Sequence, residues 1–164
     1  MILDMIVAMR AGHPGCDRWD SLINQIAPQY SVPPNLLKAI ILYESGGDPN
    51  IISFDTGCGL CQITSGVIVH GAGVDTSYSY ETQDILDPAY NMMVACRDHI
   101  KPAMQTFPAN LNAIVAAYNA GIGAVTAALQ AGRLPSSVTY ASWYVPAVTQ
   151  AFAWFCAASH KGPQ

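Results

Sequence analysis

Apolar residues recur at spacings of three and four along most of this chain, a period that buries helix faces rather than pleated strands. Ile2, Met5, Ile6 and Met9 open the pattern, and Trp19, Leu22, Ile23 and Ile26 continue it behind Asp17, a candidate N-cap. Leu36, Leu37, Ile40 and Ile41 follow Pro33-Pro34, where a missing N–H costs least, and run into the Gly46-Gly47 stop, so the spacing predicts a helix ending near Ser45. From Asp48 to Tyr80 the period gives way to Gly, Ser, Thr and Asp with short apolar runs, which predicts a loop-rich region with a small hairpin. Asp87-Pro88 then offers an N-cap and N1 proline for a helix reaching about Lys101 and closed by Pro102. Asn110 caps a further helix to Gly121, and a short one stops near Gly132. A last one begins near Trp143 with the stripe Val145, Val148, Phe152, Phe155 and Cys156. No fixed-period repeat or low-complexity linker divides the chain, so the expected fold is mostly α in a single compact domain.

A chain of 164 residues can bury a core of its own, and with 51% apolar and 11% charged residues it is too hydrophobic to be disordered. Seven Lys+Arg against eleven Asp+Glu give a net charge of -4 with no basic run, which argues against nucleic acid as a partner. The longest apolar stretches, Leu36 to Tyr43 and Ala151 to Ser159, are far short of the roughly 20 residues that cross a bilayer, so no stable membrane insertion is expected. The apolar start lacks a basic n-region and carries Asp4, unlike a signal peptide.

Glu44 lies three, four and seven residues after Ile41, Ile40 and Leu37, on the apolar stripe of its own helix. An inward-facing acid is partly desolvated, which favours its protonated form, as a general acid requires. The alternative on position alone is a helix-terminal carboxylate turned to solvent.

Neighbouring segments bear on that choice. Glu44-Ser45-Gly46-Gly47, Gly59-Leu60-Cys61-Gln62-Ile63, Ala116-Ala117-Tyr118-Asn119-Ala120-Gly121 and Thr139-Tyr140 occur in that order. Together they resemble the soluble (SLT) type of lytic transglycosylase, related in fold to goose-type lysozyme, over roughly residues 26 to 144. The resemblance implies a lysozyme-like helical fold with a saccharide groove and peptidoglycan glycan strands as partner. It implies Glu44 as catalytic acid/base, Ser45 supporting it, and Gln62, Tyr118, Asn119 and Tyr140 lining the cleft. It implies no metal or other cofactor. Amides and hydroxyls match the N-acetyl and hydroxyl groups of a sugar, and aromatic faces stack on its apolar side. Without the resemblance, Tyr118 reads equally well as helix core and Asn119 as a helix-end residue tolerant of the left-handed conformation. The chain departs from the family where Cys61 replaces a common Met, Cys58 a small residue and Ala95 a Gly; Asn91 matches a recurrent family asparagine that we read as structural.

Five cysteines, Cys16, Cys58, Cys61, Cys96 and Cys156, are an odd set that leaves at least one thiol unpaired in a monomer, the expected state. Cys58-x-x-Cys61 with Cys96-x-x-His99 has ligand types that zinc accepts, but the pairs stand farther apart than in usual structural sites, and a disulfide is the stronger reading of the two. A thioredoxin-like role for Cys58 and Cys61 would need a βαβ setting that this pattern lacks. His13, His70 and His160 are isolated and receive no role.

The resemblance implies cleavage between N-acetylmuramic acid and N-acetylglucosamine with a 1,6-anhydro product, one carboxylate serving both proton transfers. Hydrolysis, as in the goose-type branch, is the runner-up and needs a second acid. Asp48 and Asp55 are the candidates, with turn formation as their competing role. A glycan-binding module without chemistry is the further alternative, against which the presence of Glu44 argues. Action in the bacterial wall or periplasm follows, and the start of the chain points toward a phage endolysin or virion-associated lysin.

Overall fold

A computed structural model describes residues 14–64, 68–70, 73–75 and 85–159. The stripe from Ile2 to Met9, His13 and His160 lie outside these residues, as does the end of the loop-rich segment at Tyr80. The chain divides into two compact units, Met1–Cys96 and Arg97–Gln164. Most of the described residues are helical, as the periodicity requires.

In the first unit α1 (Pro14–Asp17), α2 (Asp20–Ile26) and a 3-10 turn (Ala27–Tyr30) lead into α3 (Pro34–Glu44). Asp17 is not the N-cap that its position suggests. Trp19 stands there and makes no capping side-chain hydrogen bond, while the Asp17 carboxylate is 2.8 Å from the Lys38 ammonium, which also lies 2.6 Å from Asp20. A cation nearly buried on α3 draws both acids, since an unpaired charge there would be costly. Helix α3 begins at the prolines and buries Leu36, Leu37, Ala39, Ile40 and Ile41, and Ser45 ends it with φ -134° and ψ -7°.

After α3 the backbone forms an arch closed by the isolated bridges Ile52 to Cys58 and Cys58 to Ile63. Two short strands, β1 (Ile68–His70) and β2 (Gly73–Asp75), pair antiparallel, so the expected hairpin region does contain an antiparallel pair. Helix α4 (Pro88–Val94) starts where Asp87 accepts the Tyr90 N–H at 2.8 Å. A π-helical turn, Ala95–Ile100, follows it and straddles the division between the units.

Pro102 does not terminate this stretch. It sits in the first turn of α5 (Lys101–Thr106), where a ring lacking N–H leaves no intrahelical bond unmade. Asn110 caps α6 (Leu111–Ala120) by accepting the Ala113 N–H at 3.1 Å, and α7 (Ile122–Gln130) follows directly. After a 3-10 turn (Pro135–Ser137), α8 (Tyr144–Ser159) buries Tyr144, Val145, Ala147, Val148, Ala151 and Phe155. Val145, Val148 and Phe155 of the expected stripe are buried, while Phe152 and Cys156 are half-buried at its edge.

Candidate active site

Glu44 is the last residue of α3 and is half-buried. The chain immediately beyond it is held from three directions. The Ser45 hydroxyl donates to the Leu60 carbonyl at 2.8 Å and accepts the Gly47 N–H at 3.1 Å, which fastens the end of the Glu44 helix to the arch. The Gly47 carbonyl in turn accepts from Arg18 Nη2 at 2.6 Å and Trp19 Nε1 at 2.8 Å, with the guanidinium stacked 5.0 Å from the Trp19 ring centre. At Gly47, φ is +89° and a Cβ would collide with the Gly15 carbonyl, so only glycine permits this closeness.

The arch itself hangs on Asn91, which is completely buried. Its Oδ1 accepts the Cys61 N–H at 2.8 Å, while its Nδ2 donates to the carbonyls of Cys58 at 2.8 Å and Ile85 at 2.9 Å. Gly59 fits beneath with φ +71°, and a Cβ there would lie 2.7 Å from the same Nδ2. One amide thus bonds three backbone groups, of which the Cys58 carbonyl also accepts the Ile63 N–H at 3.0 Å.

Cys61 lies fully buried in this arch. Burial pushes its thiol far above the usual range, and the neighbouring Cys96 and Glu44, by opposing a second negative charge, push it further. Glu44 is therefore within electrostatic reach of a buried apolar floor of Leu60 and Cys61. Burial likewise raises Cys96 to about 12 and Cys16 to about 11. None of the five cysteines forms a disulfide, against the sequence expectation, and those three are held protonated rather than as the thiolates that redox exchange or metal binding uses. Among the described residues no three His, Cys, Asp or Glu side chains converge on a metal position.

Gln62 takes up a left-handed backbone conformation, φ +50°, and turns its amide nitrogen onto the carbonyls of Gly59 at 2.9 Å and Ile51 at 3.2 Å. Its side chain thereby braces the arch. Asp48 and Asp55 are both exposed. Asp48 Oδ1 accepts the Asn50 N–H at 2.9 Å and Asp55 Oδ1 accepts the Ser53 hydroxyl at 2.6 Å, so each shapes its own turn.

The other three residues lie in the second unit. Tyr118 and Asn119 occupy the last turn of α6, where Gly121, at φ +84°, ends the helix. Asn119 Oδ1 accepts the Tyr140 N–H at 2.8 Å, and the hydroxyl of Thr139 bridges the Ser136 and Ala141 carbonyls at 3.0 Å each. The segment is pinned by its backbone while the Tyr140 side chain is left 94% exposed, an aromatic face offered to solvent. The ring of Tyr118 meets His99 edge-on at 5.9 Å. Burial pulls His99 below its usual range, against the opposing charge of Asp98, and its Nε2 is buried with no hydrogen-bond partner among the described residues.

The structure thus gathers Glu44, Ser45 and Gln62 around one arch, and Tyr118, Asn119 and Tyr140 around the end of α6. Sequence reasoning missed the Arg18 and Trp19 clamp on Gly47 and the His99 contact with Tyr118. Neither carries a local signal, because each depends on groups 19 or more residues apart.

The family model described as Transglycosylase SLT domain matches residues 21–135. Membrane-bound lytic murein transglycosylase C of Actinobacillus pleuropneumoniae serotype 5b (strain L20) is 26% identical over 129 residues, which cover 73% of this chain and 35% of the relative. The proteins of the same description from serotype 3 (strain JL03) and serotype 7 (strain AP76) match with the same figures. The chain therefore aligns with about a third of each relative's length.

Proposed function

Because this chain belongs to the transglycosylase SLT family, with the mostly helical, lysozyme-like architecture of that family, we propose that it is a peptidoglycan lytic transglycosylase with Glu44 as its catalytic acid and base. The observation that carries this reading is the fastening of Ser45 to Leu60. It sets the end of the Glu44 helix against a buried apolar floor and fixes it in advance of any substrate, the preorganisation on which proton transfer depends.

In the proposed reaction, protonated Glu44 gives its proton to the oxygen linking N-acetylmuramic acid to N-acetylglucosamine. The bond to C1 breaks, and the departing N-acetylglucosamine leaves with a 4-hydroxyl. Glu44, now a carboxylate, takes the proton from the 6-hydroxyl of the muramic acid as O6 bonds to C1. The 1,6-anhydro ring closes, Glu44 is protonated again and no water is consumed. Ser45 and Gln62 hold the arch beside the acid, and Tyr118, Asn119 and Tyr140 serve sugar recognition. The tethering of Asp48 and Asp55 within their own exposed turns favours this route over hydrolysis, which needs a carboxylate acting across the sugar ring. The bacterial cell wall is the place of action.

Mass spectrometry of peptidoglycan digested by the full chain tests the proposal. Products about 18 mass units lighter than their hydrolysed counterparts and without a reducing end are expected, the difference being one water. A digest made only of reducing-end fragments would replace transglycosylation by hydrolysis.

A further inference from the structure

The first unit holds a cavity of about 250 Å³ that the proposed reaction does not use. Ile26, Gln29 and Tyr30 wall one side, and Asp87, Tyr90 and Met93 the other. Two observations separate it from Glu44. Tyr30 precedes the N-terminal end of α3, and the eleven residues of that helix place Glu44 about 15 Å away along its axis. On α4, Ala89 and Met93 are one turn apart and line the cavity, while Asn91, halfway between them, occupies the opposite face and holds the arch beside Glu44.

Its chemistry selects a class of ligand. Among the described residues no Lys or Arg lines the cavity, so an anion finds no counter-charge from them. Asp87 spends Oδ1 on the Tyr90 N–H, and among the described residues nothing donates to Oδ2. Gln29 spends its amide nitrogen on the Gln25 carbonyl, and among the described residues nothing donates to its amide oxygen. Two acceptors at different places call for a ligand with hydroxyl donors in several directions, which a single ammonium does not supply. The rings of Tyr30 and Tyr90 with Ile26 and Met93 offer apolar faces of the kind that stack on a pyranose. The volume lies just below the usual ligand pocket of about 300–1,000 Å³, a size for one ring rather than a chain.

We propose that this cavity is a second saccharide site, which holds a neutral N-acetylhexosamine unit of a glycan strand away from the bond cut at Glu44. The choice of glycan rests on the function proposed above. A strand held at a second point stays near the Glu44 site at raised effective concentration, so the site acts as a tether for polymeric substrate.

Titration of the full-length Glu44→Gln variant with tri-N-acetylchitotriose, followed by amide shifts in NMR, tests this. Two groups of shifts with separate midpoints are expected, one at Tyr30, Ala89 and Met93 and one at Ser45, Leu60 and Gln62. Tyr30→Ala and Gln29→Ala should each weaken the first by about tenfold and leave the second in place. Gln29 is exposed on its turn and makes one local bond, so its variant decides the matter if Tyr30→Ala fails to fold. Shifts confined to the Glu44 group, or a cavity group that neither variant weakens, would overturn the second site and leave the proposed function standing. Shifts confined to the cavity would instead overturn sugar binding beside Glu44. Silence of both groups would overturn both.

Discussion

The arch beside Glu44 in the first unit and the end of α6 in the second are built in opposite ways. Around Glu44 nearly every polar group is committed inward: Ser45 to Leu60, Gln62 to Gly59 and Ile51, and Asn91 to three backbone groups at once. At the end of α6 the Tyr140 N–H to Asn119 bond and the Thr139 hydroxyl fix the backbone, the Tyr140 ring stands in solvent, and His99 buries a nitrogen with no hydrogen-bond partner among the described residues. Under the proposed function the contrast separates two demands. A proton donor must be held at one position, so its surroundings are rigid and closed. A face that meets a polymer must be open, so only its backbone is tied down.

The strongest way to break that contrast is at Asn91. Asn91→Ala strands the Cys61 N–H and the Ile85 carbonyl, each costing about 1–3 kcal/mol, and leaves the Cys58 carbonyl with the Ile63 N–H alone, so we expect urea denaturation to show about 4 kcal/mol of lost stability. A loss below about 1 kcal/mol would mean that the arch is not held as described.

Glu44→Gln keeps the shape of the side chain and removes its proton chemistry. Release of soluble fragments from purified walls should fall at least about a hundredfold with an unchanged melting temperature. Near-normal lysis by the folded variant would take the acid's role from Glu44.

At the open corner the same kind of change should act on function and spare the fold. Asn119→Ala removes one exposed hydrogen bond, so we expect at most about 1 kcal/mol of lost stability together with roughly tenfold weaker lysis. Broad unfolding of this variant would place Asn119 among the packing residues and erase the difference between the corners.

The smallest expected effect is a pH dependence confined to the second unit. Burial holds His99 below its unfolded value of 6.5, against the opposing charge of Asp98, so the unfolded chain takes up this proton first as pH falls. The stability due to neutral His99 is fully present above about pH 6.5 and is progressively lost toward the lower folded value. Urea midpoints between pH 7.5 and 5 should therefore fall more for the wild type than for His99→Phe. Equal slopes would show that His99 does not titrate in this way.

Much of the helical scaffold follows from neighbours in sequence. Pro34 starts α3, Asp87 and Asn110 cap α4 and α6 through N–H groups three residues on, and Gly121 ends α6, all interactions complete within one turn. The inward stripe leading to Glu44 and the order of the four motifs were legible for the same reason, being matters of spacing. Asp17 and Pro102 read wrongly because their local signals were sound but outweighed, the first by a buried Lys38 and the second by a helix that resumes after a π turn. Only the tertiary structure decided that Asn91 reaches the arch 30 residues away, that Gly47 meets Gly15, and that Gln62 braces its own loop. A cap needs only the turn that follows it, so sequence determines it. A buried amide, or a glycine with no room for a Cβ, acquires its partner only when distant segments pack together and exclude water, and no local pattern encodes which segments those will be.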